Sequence, residues 1–155
     1  MSLCSRYFGF VSIACAAMFT IMPMQAVAGQ IVNHVSVSGD SGGVIGNYVV
    51  RTATYRRSET KIDFTGRCDS ACTLFLSLSP SQICVSEGAY FRFHLPQSPS
   101  PAIAVAAGRF LMRSYPAWVR SYITSHGGLS DRLLRVDYSY ASRFIKTCPS
   151  IVASR

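Results

Sequence analysis

Four cysteines, Cys68, Cys72, Cys84 and Cys148, set the tightest limit on how this chain can fold. An even set in an oxidising compartment predicts two disulfides, and four cysteines allow three pairings. Cys68 and Cys72 are neighbours in sequence, so the preferred pairing joins them. Cys84 and Cys148 are then left to tie a strand to the last helix. The other two cysteines, Cys4 and Cys15, fall in an N-terminal segment that reads as a secretory signal. That segment opens with a short run ending in Arg6 and continues as an apolar stretch of about 16 residues, shorter than the ~20 a spanning helix needs. Pro23 breaks the stretch, and Ala26-Val27-Ala28 supplies a cleavage pattern before Gly29. The expected organisation is a signal peptide over residues 1–28 and one small domain over residues 29–155. The expected location is outside the cytoplasm, periplasmic or secreted.

A zinc site is the other use for such cysteines, and Cys-x3-Cys falls within its loose spacing. No histidine or cysteine pair completes it at regular spacing, so neither metal nor cofactor is expected. The formal charge is +8, and losing Arg6 with the leader leaves +7 on the remaining chain. The excess is almost all arginine, scattered rather than run together. Scattered cations argue against specific nucleic-acid recognition and for attraction to an anionic envelope surface.

Strand and helix signals alternate along the domain. Residues 32–38 alternate as a strand and lead into Gly39-Asp40-Ser41-Gly42-Gly43, a sharp turn. Residues 44–57 place apolar side chains at helical spacing. Residues 61–65 read as a second strand, and 66–70 as a tight connection. Residues 71–78 read as a helix apolar on most sides, hence buried. Residues 83–85 and 89–94 are strand material. A Pro/Ser-rich loop over 96–101 precedes a long helix, 102–125, interrupted near Pro116 and capped by Gly127-Gly128. Residues 130–145 read as a last helix or mixed segment. This order predicts an α/β layer with a mostly parallel sheet flanked by helices. In such sheets, sites gather at the carboxyl ends of strands, where Gly42-Gly43, Ser70 and His94 are all expected.

A serine between a strand and a helix is held out at the sheet edge, beside amides that lack intrahelical partners. Those amides, helped by the helix dipole, can stabilise an oxyanion. The serine needs a base, and His94 follows at the end of a later strand. Taken singly, such a serine is ordinarily an N-cap and such a glycine pair a turn. Their order and shared edge are what point to chemistry. His34, alternating on a strand, and His126, before a glycine pair at a helix end, read as structural. Trp118, Tyr115 and Tyr122 read as a packing face.

Gly42-Gly43 after the first strand, C-D-S-A-C-T around Ser70, and F-R-F-H ending at His94 resemble the ClpP-like serine peptidases of the ClpP/crotonase superfamily, especially small exported relatives. The resemblance spans about residues 32–97. It implies a ClpP/crotonase-like fold, with Ser70 as nucleophile, His94 as general base, and the amides of Gly43 and Ala71 as the oxyanion hole. Asp137, in V-D-Y-S-Y-A, is the choice for the acid, with Asp131 the other candidate. The chain lacks the family's long handle insertion. The expected function is an exported serine hydrolase of peptidase type, acting on a peptide or protein through an acyl-enzyme; oligomeric state is left open. The alternative is a non-catalytic periplasmic binding or structural module that keeps the fold. An acyl-CoA reaction of the crotonase kind fits poorly, because export separates the chain from that cytosolic cofactor.

Overall fold

The computed structural model describes residues 33–149, and the leader expected over residues 1–28 lies outside the described residues. In chain order the elements are β1 (His34–Asp40), α1 (Ile45–Arg57), β2 (Lys61–Asp69), a 3-10 helix (Ser70–Ser77), β3 (Ile83–Val85), β4 (Tyr90–Phe93), α2 (Pro101–Ser114), α3 (Ala117–Ser125), β5 (Leu134–Asp137) and α4 (Tyr138–Ala141).

β2 is the spine of the sheet. β1 runs parallel along one side of it. On the other side β3 pairs with Ile62, Asp63 and Phe64, and β4 with Arg67, Cys68 and Asp69, both parallel. Two short strands thus share one long neighbour. β2 runs on to Asp69, past the point where residues 66–70 read as a connection. Gly66 produced that reading, yet it sits inside the strand at a bulge, where the pairing with β1 shifts between Val37 and Gly39. A Cβ on Gly66 would lie 2.1 Å from the Ser38 carbonyl oxygen. Glycine is there for close backbone approach, not to end the strand.

The sheet corrects the expected ClpP/crotonase-like architecture. It is mixed: β5 pairs antiparallel with β4, from Tyr90↔Asp137 to Phe93↔Leu134. Residues 130–145, read as a last helix or mixed segment, hold this strand and only one helical turn. Four residues, Leu-Arg-Val-Asp, are too few for alternation to show. Gly127 and Gly128, both at φ near +90°, lead into the turn that brings β5 back along β4. The expected helix over 71–78 is also corrected, to a tighter 3-10 helix whose residues Ala71 to Leu76 are all buried.

The core follows from the aromatic residues of the inner strands. Phe64 and Phe91 meet edge to face at 4.9 Å, and Phe93 and Tyr115 at 5.4 Å. α1 turns Tyr48 and Thr52 inward. The expected interruption at Pro116 separates α2 from α3, because proline there supplies no amide to continue the helix.

Both disulfides join the expected partners. Cys68 at the end of β2 bonds Cys72 in the 3-10 helix, with Cα atoms 5.4 Å apart. Cys84 on β3 bonds Cys148 across 64 residues of chain. The Cys148 segment also lies along β3: the Val85 amide donates to Lys146 O, and the Cys148 amide donates to Val85 O. Two disulfides fit an oxidising compartment outside the cytoplasm. Among the described residues, no helix is long and apolar enough to cross a membrane.

Candidate active site

β1, β2 and β4 are mutually parallel, so their carboxyl ends lie on one edge of the sheet. The residues just past those ends are Ser41 to Val44, Ser70 and His94. A cavity of about 730 Å³ opens there, and Gly42, Gly43, Ser70 and His94 all line it. The loop through Pro96, Gln97, Ser98 and Pro99 forms one wall, and Ile103, Ala104 and Ala107 of α2 form another. The expected loop over 96–101 therefore borders the cavity.

Ser70 adopts φ +54°, the left-handed region, which a non-glycine residue enters only when its surroundings hold it there. Those surroundings are dense. Cys68 and Cys72, one on each side, are bonded to each other. Asp69 is buried, and Arg92 donates to both its oxygens, Nε to Oδ1 at 2.8 Å and Nη2 to Oδ2 at 2.5 Å. The hydrogen bonds to Asp69 hold the Arg92 guanidinium above its ordinary pKa. Arg67 adds a longer contact of 3.5 Å. Thr73 Oγ1 donates to the Ser70 carbonyl at 2.5 Å, so the Tyr115 hydroxyl, 2.6 Å from that oxygen, must donate to Thr73. Burial pushes the Tyr115 phenol up to about 12.

Gly42 packs beneath this turn. At φ +80°, a Cβ there would lie 2.5 Å from the Asp69 carbonyl oxygen and 2.8 Å from Ser70 Cβ. No other residue fits without moving the serine. Asp40 fixes the glycine turn: its Oδ1 accepts from the Gly42 amide at 2.8 Å and from the Tyr48 hydroxyl at 2.5 Å. Burial first, and Asp40 second, raise the Tyr48 phenol to about 12. With the Gly42 amide committed to Asp40, the neighbouring Gly43 amide has no acceptor among the described residues. Ala71, second in the 3-10 helix, has an amide with no acceptor within the helix. The Ser70 hydroxyl has no hydrogen-bond partner among the described residues.

His94 is held differently. Its Nδ1 lies 2.7 Å from the Leu95 carbonyl oxygen. A carbonyl can only accept, so Nδ1 carries the proton and a neutral ring presents Nε2 as the basic nitrogen. The Leu95 amide in turn donates to the Ser130 carbonyl. His94 and Ser70 line the same cavity without a hydrogen bond between them.

Asp137 is not brought to His94. The antiparallel register sets it opposite Tyr90, three residues along β4 from Phe93, or about 10 Å away at strand rise. Its carboxylate is taken by Arg135 Nε at 2.6 Å. Asp131 is exposed and accepts no hydrogen bond among the described residues. The group that orients the imidazole is the Leu95 carbonyl. His34 sits beside Asp63, and His126 stacks on Tyr122, both away from the cavity. Tyr115 reads as a packing residue and Asp40 as part of a turn, but the support that Asp69, Arg92, Asp40, Thr73 and Tyr115 give to the Ser70 turn has no signal in the sequence. Asp69 directly precedes Ser70 and Arg92 comes two residues before His94, but only the register Asp69↔Arg92 makes them partners.

In comparisons with known proteins, the chain matches no family model, no curated protein and no solved structure.

Proposed function

We propose that this chain is an exported serine hydrolase acting through an acyl-enzyme on Ser70, with residues 1–28 as its export signal. The observation that carries the reading is the Ser70 turn: a serine at φ +54°, packed on a glycine that admits no side chain, with a histidine across the same cavity. His94 Nε2 takes the hydroxyl proton as Ser70 Oγ attacks a substrate carbonyl. The amides of Gly43 and Ala71 receive the developing oxyanion, and the imidazolium returns its proton to the leaving group. Water, activated by the same imidazole, then releases the acyl group. The Leu95 carbonyl stands where triads usually carry an acid. It fixes the tautomer but supplies no negative charge to the imidazolium, which favours a slow enzyme. The cavity suits a peptide or another acyl donor.

Hydrolysis of activated acyl esters and short peptides tests this. Wild type is expected to turn over with an initial burst, and Ser70→Ala and His94→Ala to fall to background. The second reading, a binding module without turnover, draws on the missing hydrogen bond between Ser70 and His94. It would be supported if all three proteins released product at the same rate.

A further inference from the structure

Apolar exposure is concentrated on two helices. Among the described residues, six of the eight large apolar side chains most open to solvent are Val44, Val49, Val50, Ile103, Val105 and Phe110. All six lie on α1, just before it, or on α2. Val44, Val50 and Ile103 are 70%, 65% and 61% exposed, well beyond what a scattered surface valine or isoleucine needs. The charges are equally one-sided. None of the chain's seven Asp and Glu residues lies on α1 or α2, which carry Arg51, Arg56, Arg57, Arg109 and Arg113. Arg57, Arg109 and Arg113 form no ion pair among the described residues. On α1, Val50 and Arg57 are seven residues apart and share a face. On α2, Val105, Arg109 and Arg113 follow at intervals of four.

The two helices also form one seam. The Ser70 cavity is bordered by Val44, Ile45 and Gly46 on one side and Ile103 and Ala107 on the other. Farther along, a second opening of about 340 Å³ lies between Val49, Ala53 and Arg56 of α1 and Phe110 and Ser114 of α2. α1 and α2 therefore lie side by side in the same direction, with the site at their amino ends. On α2, Ile103 and Phe110 border the seam, and Val105, Arg109 and Arg113 line its far flank beside Leu95 and Leu129. An exposed apolar surface flanked by unpaired arginines, with no carboxylate on either helix, has the chemistry of a helix lying in a lipid interface. A protein partner would also have to be acidic and apolar; an anionic bilayer supplies both properties over a whole plane.

We propose that the α1–α2 face docks on an anionic phospholipid surface. The valines, Ile103 and Phe110 enter the interface, and Arg57, Arg109 and Arg113 meet lipid phosphates. Docking this way turns the cavity mouth, walled by Val44 and Ile103, toward the lipid. The inference does not depend on the chain being a hydrolase.

Vesicle flotation of the full chain tests it, using phosphatidylcholine with and without phosphatidylglycerol. The apolar segment at the N-terminus is common to every variant, so differences between variants report the α1–α2 face. Wild type is expected to be enriched on the anionic vesicles and to lose that enrichment as salt rises. Val50→Asp with Phe110→Asp, and Arg109→Glu with Arg113→Glu, should each lower the fraction bound about tenfold. Arg109→Lys with Arg113→Lys should retain binding, because the charge is kept. The arginine variants, at exposed sites, should leave the thermal midpoint unchanged. Equal enrichment on both vesicle types, no binding to either, or variants that bind like wild type would overturn the proposal. So would a dimer, without lipid binding, that Val50→Asp dissociates.

Discussion

The two halves of the candidate site are built to different standards. Ser70 is fixed from four directions: by the Cys68–Cys72 bond, the Asp69–Arg92 pair, the Thr73–Tyr115 chain, and Gly42 pressed against its backbone. His94 rests on one hydrogen bond to the carbonyl of its own neighbour, at the start of a proline-rich loop. The difference teaches where tuning is left. A nucleophile needs its strained backbone over-determined. On the proposed reading, a base with one tether is free to turn toward the hydroxyl across the cavity both residues line when substrate fills it.

The strongest challenge to this contrast is at Asp69. Asp69→Ala leaves Arg92 without its partner and opens a buried polar gap, so it should destabilise the fold by about 3 kcal/mol, read from urea unfolding. A loss below about 0.5 kcal/mol would mean the seat is not held by that pair. Gly42→Ala comes next. Its Cβ must displace the Asp69 carbonyl or Ser70 itself, costing about 2 kcal/mol and lowering kcat far more than that loss of stability explains. Tyr115→Phe should cost about 1 kcal/mol at neutral pH by removing the donor to Thr73.

That same variant carries a pH signature. The Tyr115 phenol is raised in the folded state to about 12 from an ordinary 10.0. Its contribution is complete below pH ~10 and fades as pH rises toward ~12, because the unfolded chain releases the proton first. Alkaline unfolding of Tyr115→Phe should therefore fall less steeply across that interval than that of wild type. The smallest effects belong to the other half of the comparison. Asp131→Asn and Asp137→Asn should leave hydrolysis within about twofold and stability within about 0.5 kcal/mol, since neither carboxylate reaches His94. A large fall in kcat for either would restore an acid to the histidine and end the contrast.

Much of this was legible beforehand, for physical reasons. α1 reads from apolar spacing, β3 from three consecutive apolar residues, and the α2–α3 break from Pro116. Sequence proximity was enough to pair Cys68 with Cys72. What failed was long-range. β5 is four residues whose pairing exists only opposite β4, so neither the mixed sheet nor the position of Asp137 opposite Tyr90, away from His94, shows in the local sequence. Gly66 reads as a breaker until the Ser38 carbonyl beside it is known. The supports of Ser70 are scattered from Asp40 to Tyr115, and no local pattern links them. Ser70 and His94 each follow a strand directly, and the Gly42-Gly43 pair comes two residues after β1, which is why all of them are expected at one sheet edge.

The most direct measurement is the site of covalent labelling by a fluorophosphonate, mapped by mass spectrometry on the folded, disulfide-bonded protein. The account predicts one adduct, on Ser70, that is absent in Ser70→Ala and forms much more slowly in His94→Ala. An unlabelled wild type, an adduct on another residue, or equal labelling of the three proteins would contradict it.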